Sequence, residues 1–337
     1  MSQTRSGVID GTPQRSLTGR IAGYPLVTIL IGFILFMFLL QALAFGNLTR
    51  LFMVIVGAPL PPPDATGLPT DAAALAAYGY GQLVAALIVV PIAVWVYRQV
   101  IVSWCEGRTD IPELALNSAA KRWIVFGALL SVAVILCTLA AVAIGGGEIA
   151  VLPHGLLLPG IASALGISLF AGVAEELFAR GTLFRISEQH VGSLIALVIT
   201  AVIFGVQHAD NPSATVTSTL AVALEGGIML AAIYMLARTL WAVIAVHFVW
   251  NLGQSLLGLP VSGNETIGAV KWQVQGPEWL TGGIFGFEVS GVAMALWTIV
   301  TVVVLLLVVR RGLWQSWGAA RSAVAAGRGN QPVGITA

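Results

Sequence analysis

Apolar runs of about 20 residues, the length a helix needs to cross a bilayer at about 1.5 Å per residue, recur along the whole chain. They fall at about 24–45, 80–98, 123–144, 157–181, 193–209, 216–237, 240–258 and 290–309, with polar and charged positions gathered between them. The pattern predicts an all-α fold: a polytopic transmembrane helical bundle of about eight membrane helices. The fifth run, SLIALVITAVIFGVQH, is short and relies on its polar ends. After the first run, NLTRLFMVIVG is too short to span and is expected in the interface, and the Pro-rich APLPPPDATGLPTDAAA is expected to be irregular. Trp272, Trp279, Trp314 and Trp317 flank spans as aromatic belt residues do. The first run follows Arg5, Arg15 and Arg20 like a signal peptide, but it is too long for that and reads as an uncleaved helix.

These spans divide the chain into a flexible tail at 1–23, an integral membrane domain at 24–311 whose core region is about 157–258, and a second flexible tail at 312–337. Of the 337 residues, 58% are hydrophobic and 9% charged, where a soluble domain carries roughly 25% charged residues. A soluble fold is thereby excluded. The formal net charge of +1 gives no reason to expect nucleic acid; the expected partners are the lipid bilayer and a membrane protein or peptide substrate. Cys105 and Cys137 lie in a loop and inside a span, so they are not expected to pair.

Basic residues collect on the cytoplasmic side of a membrane. With both termini cytoplasmic, all but Arg50 and Lys271 of the 16 Lys and Arg fall there. A multi-pass plasma-membrane protein with both ends inside is the localisation this predicts.

An ionisable side chain at mid-membrane costs roughly 2.5–3.5 kcal/mol on insertion scales and is a functional hypothesis by default. Glu175, Glu176 and Glu225 qualify, as do His208 and His247. Glu176 and Arg180 are four apart and share a helix face, so they can pair. Glu175 lies about 100° around the helix and is left free for chemistry. Phe204 precedes His208 by one turn, and Asn251 follows His247 by one turn. Glu225, in ALEGGIML, is expected to line a cavity or bond a neighbour in a supporting role. His154 and His190 read as solvated loop histidines.

Taken in order, EELFAR at Glu175–Arg180, FGVQH at Phe204–His208 and HFVWN at His247–Asn251 resemble the EExxxR, FxxxH and HxxxN/D motifs of the CPBP family. This family of intramembrane proteases comprises type II CAAX prenyl proteases, bacteriocin-processing enzymes and abortive-infection proteins. The resemblance implies an endopeptidase acting on a membrane-associated or lipidated protein or a leader peptide. Glu175 would be the general base, aided by His208, with His247 and Asn251 serving the oxyanion or a metal and Glu176 and Arg180 supporting them. Two mechanisms stay open: glutamate-activated water with no cofactor required, or a divalent metal such as zinc held by His208, His247 and Glu175. No G-x-S-G, G-x-G-D or H-E-x-x-H occurs. A proton-coupled transporter and a non-catalytic scaffold of the same fold are the alternatives.

The midpoint of Glu175 and His208 falls at Val191–Gly192, where a turn is expected, so the two residues should sit level and within about 10 Å of each other and of His247. At about 1.5 Å per residue, this hairpin should outreach the one turning near Arg238 by about three turns. Arg180 and Arg185 would then lie near the headgroups, and the active site would open to the cytoplasm between the fourth, fifth and seventh spans.

Overall fold

The computed structural model describes residues 17–61 and 67–326. Among them, six helices are long and apolar enough to cross a membrane: α1 (Pro25–Ile55), α2 (Ala72–Cys105), α3 (Ser118–Ile144), α4 (Leu157–Val191), α6 (Val216–Ala237) and α8 (Gly291–Arg310). Two shorter apolar helices, α5 (Ser193–Gln207) and α7 (Leu240–Leu256), complete the eight expected runs. The chain is a multi-pass integral membrane protein with a helical bundle fold.

Local chemistry sets the helix ends. Asp71 accepts the Ala74 amide and starts α2, Asn117 accepts the Ala120 amide and starts α3, and Thr215 and Ser218 form a reciprocal capping box at α6. Gly192, at φ 80°, breaks α4 from α5 at the expected turn. Arg238 takes the left-handed conformation at the end of α6, fixed there by its guanidinium on Glu188, 2.5 Å away.

Three expectations are corrected. The interfacial segment after the first span is a continuation of α1, unbroken through Gly46. Its Asn and Thr side chains bond within the helix, Asn47 donating to the Leu43 carbonyl and Thr49 to that of Phe45. The inner part of each expected tail is regular: Leu17–Ala22 and Trp317–Ala325 are short helices. The outer tails, with Arg5, Arg15 and Arg328, lie outside the described residues, as do residues 62–66 of the Pro-rich loop. Finally, His154 and His190 are held, each with a ring nitrogen on a backbone carbonyl, of Gly268 and Ile186 respectively. Cys105 and Cys137 are not joined in a disulfide, as expected.

The bundle has two distinct ends. One carries loop 106–117, the turns at Gly192 and Arg238, and the chain after α8. It is tied by a buried ionic network: Arg185 on Glu106, Arg108 on Glu113 at 2.5 Å, and the Tyr97 hydroxyl donating to Glu113 at 2.8 Å. Burial alone would raise the Glu113 carboxyl, but the guanidinium groups of Arg185 and Arg108 outweigh it and hold the pKa below its usual value. The opposite end carries the loops after α1, α3, α5 and α7. Strand β1 (Glu148–Leu152) pairs antiparallel with β2 (Lys271–Gln275) there, joining two of those loops.

Arg180 and Arg185 are buried inside the bundle, at 0% and 3% exposure. The expected three-turn overhang fails: the Arg238–Glu188 contact sets the α6–α7 turn about one helical turn from the tip of the α4–α5 hairpin. The reason lies in α4, which is wound in wide i→i+5 turns at Ala171–Glu175 and Ala179–Phe184. Such turns advance less per residue than the regular helix on which the expectation was built.

Candidate active site

Small residues let the helices carrying the motifs approach closely. At Gly172 a Cβ would stand 3.1 Å from the backbone of Phe248, so α4 and α7 meet nearly backbone to backbone. That approach brings Glu176 to His247. One oxygen of Glu176 accepts from Arg180 Nη1 and from His247 Nδ1, each at 2.8 Å. Arg180 also donates to the Gly227 carbonyl at 3.3 Å, and its guanidinium stacks over the Phe204 ring, 4.9 Å from the centroid.

Phe204 is the hub of the cluster. Its ring lies 4.9 Å from that of His208 and 6.4 Å, edge-on, from that of His247. Its carbonyl lies 2.8 Å from His208 Nδ1. A carbonyl only accepts, so Nδ1 carries the proton and Nε2 of the neutral ring keeps its lone pair. By the same reasoning His247 donates from Nδ1 to the Glu176 carboxylate and keeps Nε2 for other partners.

Glu175, His208, His247 and Asn251 line one cavity of about 600 Å³. The expected ion pair Glu176–Arg180 is present, and Glu175 is the glutamate turned to the cavity. What spacing did not reveal is the bond from Glu176 to His247, which connects residues 71 positions apart. Nor did it reveal the amide-rich walls: Gln41 of α1, Gln82 of α2, Gln207 and Asn211 all line the cavity. A lone Gln in an apolar run, as at 41 and 82, is the signal that would have found two of them.

Glu225 lines a smaller adjoining cavity of about 50 Å³ with His208, His247, Asn251 and Glu288. It is 7% exposed, and neither of its carboxylate oxygens has a hydrogen-bond partner. Glu288, in the loop before α8, accepts weakly from the Ser262 amide and hydroxyl. Burial pushes its carboxyl up to about 7 against those hydrogen bonds.

Among the described residues, no three His, Cys, Asp or Glu side chains stand where they could hold one metal ion. The set His208, His247 and Glu175 therefore does not fit a three-ligand site.

The mouth is at the end not expected. Gly67, Leu68, Asn211 and residues 261–266 line the cavity, and Asn264 and Glu265 are exposed. The cavity thus opens between the loops after α1, α5 and α7, at the end opposite Arg98, Arg122, Arg310 and Arg311. The expectation followed α4 only toward Gly192. The short α5 instead brings His208 out to the opposite loops, halfway along the 35-residue α4.

The fold and site are those of a polytopic helical membrane protein that encloses a polar cavity lined by histidines and a carboxylate. Residues 156–253, from the start of α4 into α7, match the family model of Rce1-like proteins, described as type II CAAX prenyl endopeptidase Rce1-like. Neither a curated protein nor a solved structure matches the chain. The matched segment holds all three motifs, and over it the chain is similar to a peptidase family.

Proposed function

We propose that this protein is an intramembrane endopeptidase that hydrolyses a peptide bond of a membrane-associated polypeptide with glutamate-activated water. The observation that carries the reading is the convergence of Glu175, His208, His247 and Asn251 on one cavity inside an apolar bundle. Water held between Glu175 and the free Nε2 of His208 loses a proton to Glu175 as its oxygen attacks the carbonyl carbon. The Asn251 amide donates to the oxyanion, joined by Nε2–H of protonated His247, which Glu176 holds in place. Collapse of the tetrahedral intermediate breaks the C–N bond, and Glu175 returns its proton to the leaving amine. Glu225 supports the site from the adjoining cavity.

Comparative proteomics of membrane fractions from cells carrying the wild type or Glu175→Gln tests this. New peptide ends that appear only with the wild type are the expected result; identical cleavage patterns overturn it.

A further inference from the structure

The cavity's walls narrow what it can take. Among its described lining residues there is no Lys or Arg, while Glu265 stands exposed at the rim and Glu175 deeper. The end of the bundle on which it opens is acidic: Asp71, Glu148, Asp210, Glu265 and Glu278 stand there against Arg50 and Lys271. A free C-terminal carboxylate entering this cavity meets no Lys or Arg and two carboxylates, and the imidazolium of His247 is already paired with Glu176. The inner walls present amide groups, Gln41, Gln82, Gln207 and Asn211, suited to the carbonyls and N–H groups of an extended backbone. Gln207 Nε2 is buried without a partner. Along one side run the apolar Phe33, Met37, Phe45 and Phe170. Phe33 and Gln41 are also exposed on α1, so this side of the cavity reaches the flank of the bundle as well as its end.

The sparsity of basic residues at the mouth end assigns it a side. Retention of Lys and Arg in the cytoplasm places the end with Arg50 and Lys271 outside. We propose that the cavity binds an extended, neutral or cationic juxtamembrane segment of a membrane-anchored protein, presented on the non-cytoplasmic face, and not a polypeptide's free carboxyl terminus. This rests on the endopeptidase reading for what happens to the segment, but not for its binding or its side.

The test uses the full-length protein with Cys137 replaced by Ala. Asn264→Cys, at the mouth, and Arg311→Cys, at the opposite end, are each exposed to a membrane-impermeant maleimide in intact cells. Labelling of the first without permeabilisation, and of the second only after it, is expected; the reverse overturns the proposal. In detergent, short extended peptides of one sequence are then titrated for protection of the thiol in the Asn264→Cys variant. They differ only in bearing Lys with an amidated end, Glu with an amidated end, or a free carboxyl terminus. The Lys peptide should protect at about two- to fivefold lower concentration than the Glu peptide, the range of an exposed ion pair. Adding Glu265→Lys should reverse that order. Equal protection by all three, or preference for the free carboxylate, overturns the substrate assignment. Protection needs no turnover, so absence of Glu175-dependent cleavage would sink hydrolysis alone, and Glu175-dependent cleavage confined to cytoplasmic segments would sink this proposal alone.

Discussion

At Glu175 and Glu176, adjacent carboxylates answer to different neighbours, and their variants separate chemistry from support. Glu175→Gln keeps shape but cannot take a proton, so kcat is expected to fall by about 10²–10⁴; a folded variant with undiminished turnover of a cleaved peptide contradicts the assignment. Asn251→Ala should lower kcat by about 10²–10³ with a smaller change in KM, since the oxyanion exists only in the transition state. In the proposed mechanism Glu176 is a positioning residue, through its bond to His247. Glu176→Gln leaves the fully buried Arg180 uncompensated and should destabilise by about 3–5 kcal/mol. The pair Glu176→Met with Arg180→Met removes both charges and should recover much of that stability in a detergent melt. Its activity should stay about a hundredfold down, because His247 has lost the group that orients it. Recovery of both would make the ion pair purely structural.

Between helices the controlling contacts are backbone to backbone. On α4, a Cβ at Gly166 would stand 2.5–2.6 Å from the backbone of Gln82 on α2. Gly166→Ala should therefore push the two apart and destabilise by about 1–3 kcal/mol. At Gly46, where a Cβ meets nothing within 4 Å, the same change should be neutral or stabilise by up to about 1 kcal/mol. Equal melting shifts for the two variants would refute the close-approach argument. The helices themselves were legible because lipid-facing apolar runs are long and uninterrupted. The break expected after Phe45 did not occur, because side-chain bonds of Asn47 and Thr49 into their own helix leave no trace in hydropathy. Motif spacing likewise showed that Glu176 and Arg180 share a face, since a local period decides that. It was silent on Arg185 with Glu106, 79 residues apart, and on the direction of the cavity's mouth, which follows from where short α5 ends within the assembled bundle.

For the protein as a whole, two buried carboxyls outside the spans act against each other as pH changes. Glu288 has a folded pKa raised to about 7 from 4.5, so its contribution is full below about pH 4.5 and is lost as pH rises to about 7. At 1.36 kcal/mol per unit this amounts to about 3 kcal/mol. Glu113 is held below its usual value, so what it contributes is present above the ordinary carboxylate range and is lost as pH falls through its folded pKa. Melting temperature in detergent should thus peak in mildly acidic solution. Glu288→Gln should flatten the decline between pH 5 and 7 while sparing the acid limb; an unchanged decline would show that Glu288 does not titrate there.

The groups proposed to do chemistry come from α4, α5 and α7, within the stretch that matches a peptidase family, while Phe33, Met37, Gln41, Phe45, Tyr78 and Gln82 bring in a wall from the two helices before it. On the proposed reading, part of recognition therefore stands apart from reaction. Drift in α1 and α2 can reshape that wall while α4, α5 and α7 stand unchanged, so descendants of one ancestor can keep the same chemistry and diverge in diet through their first hundred residues.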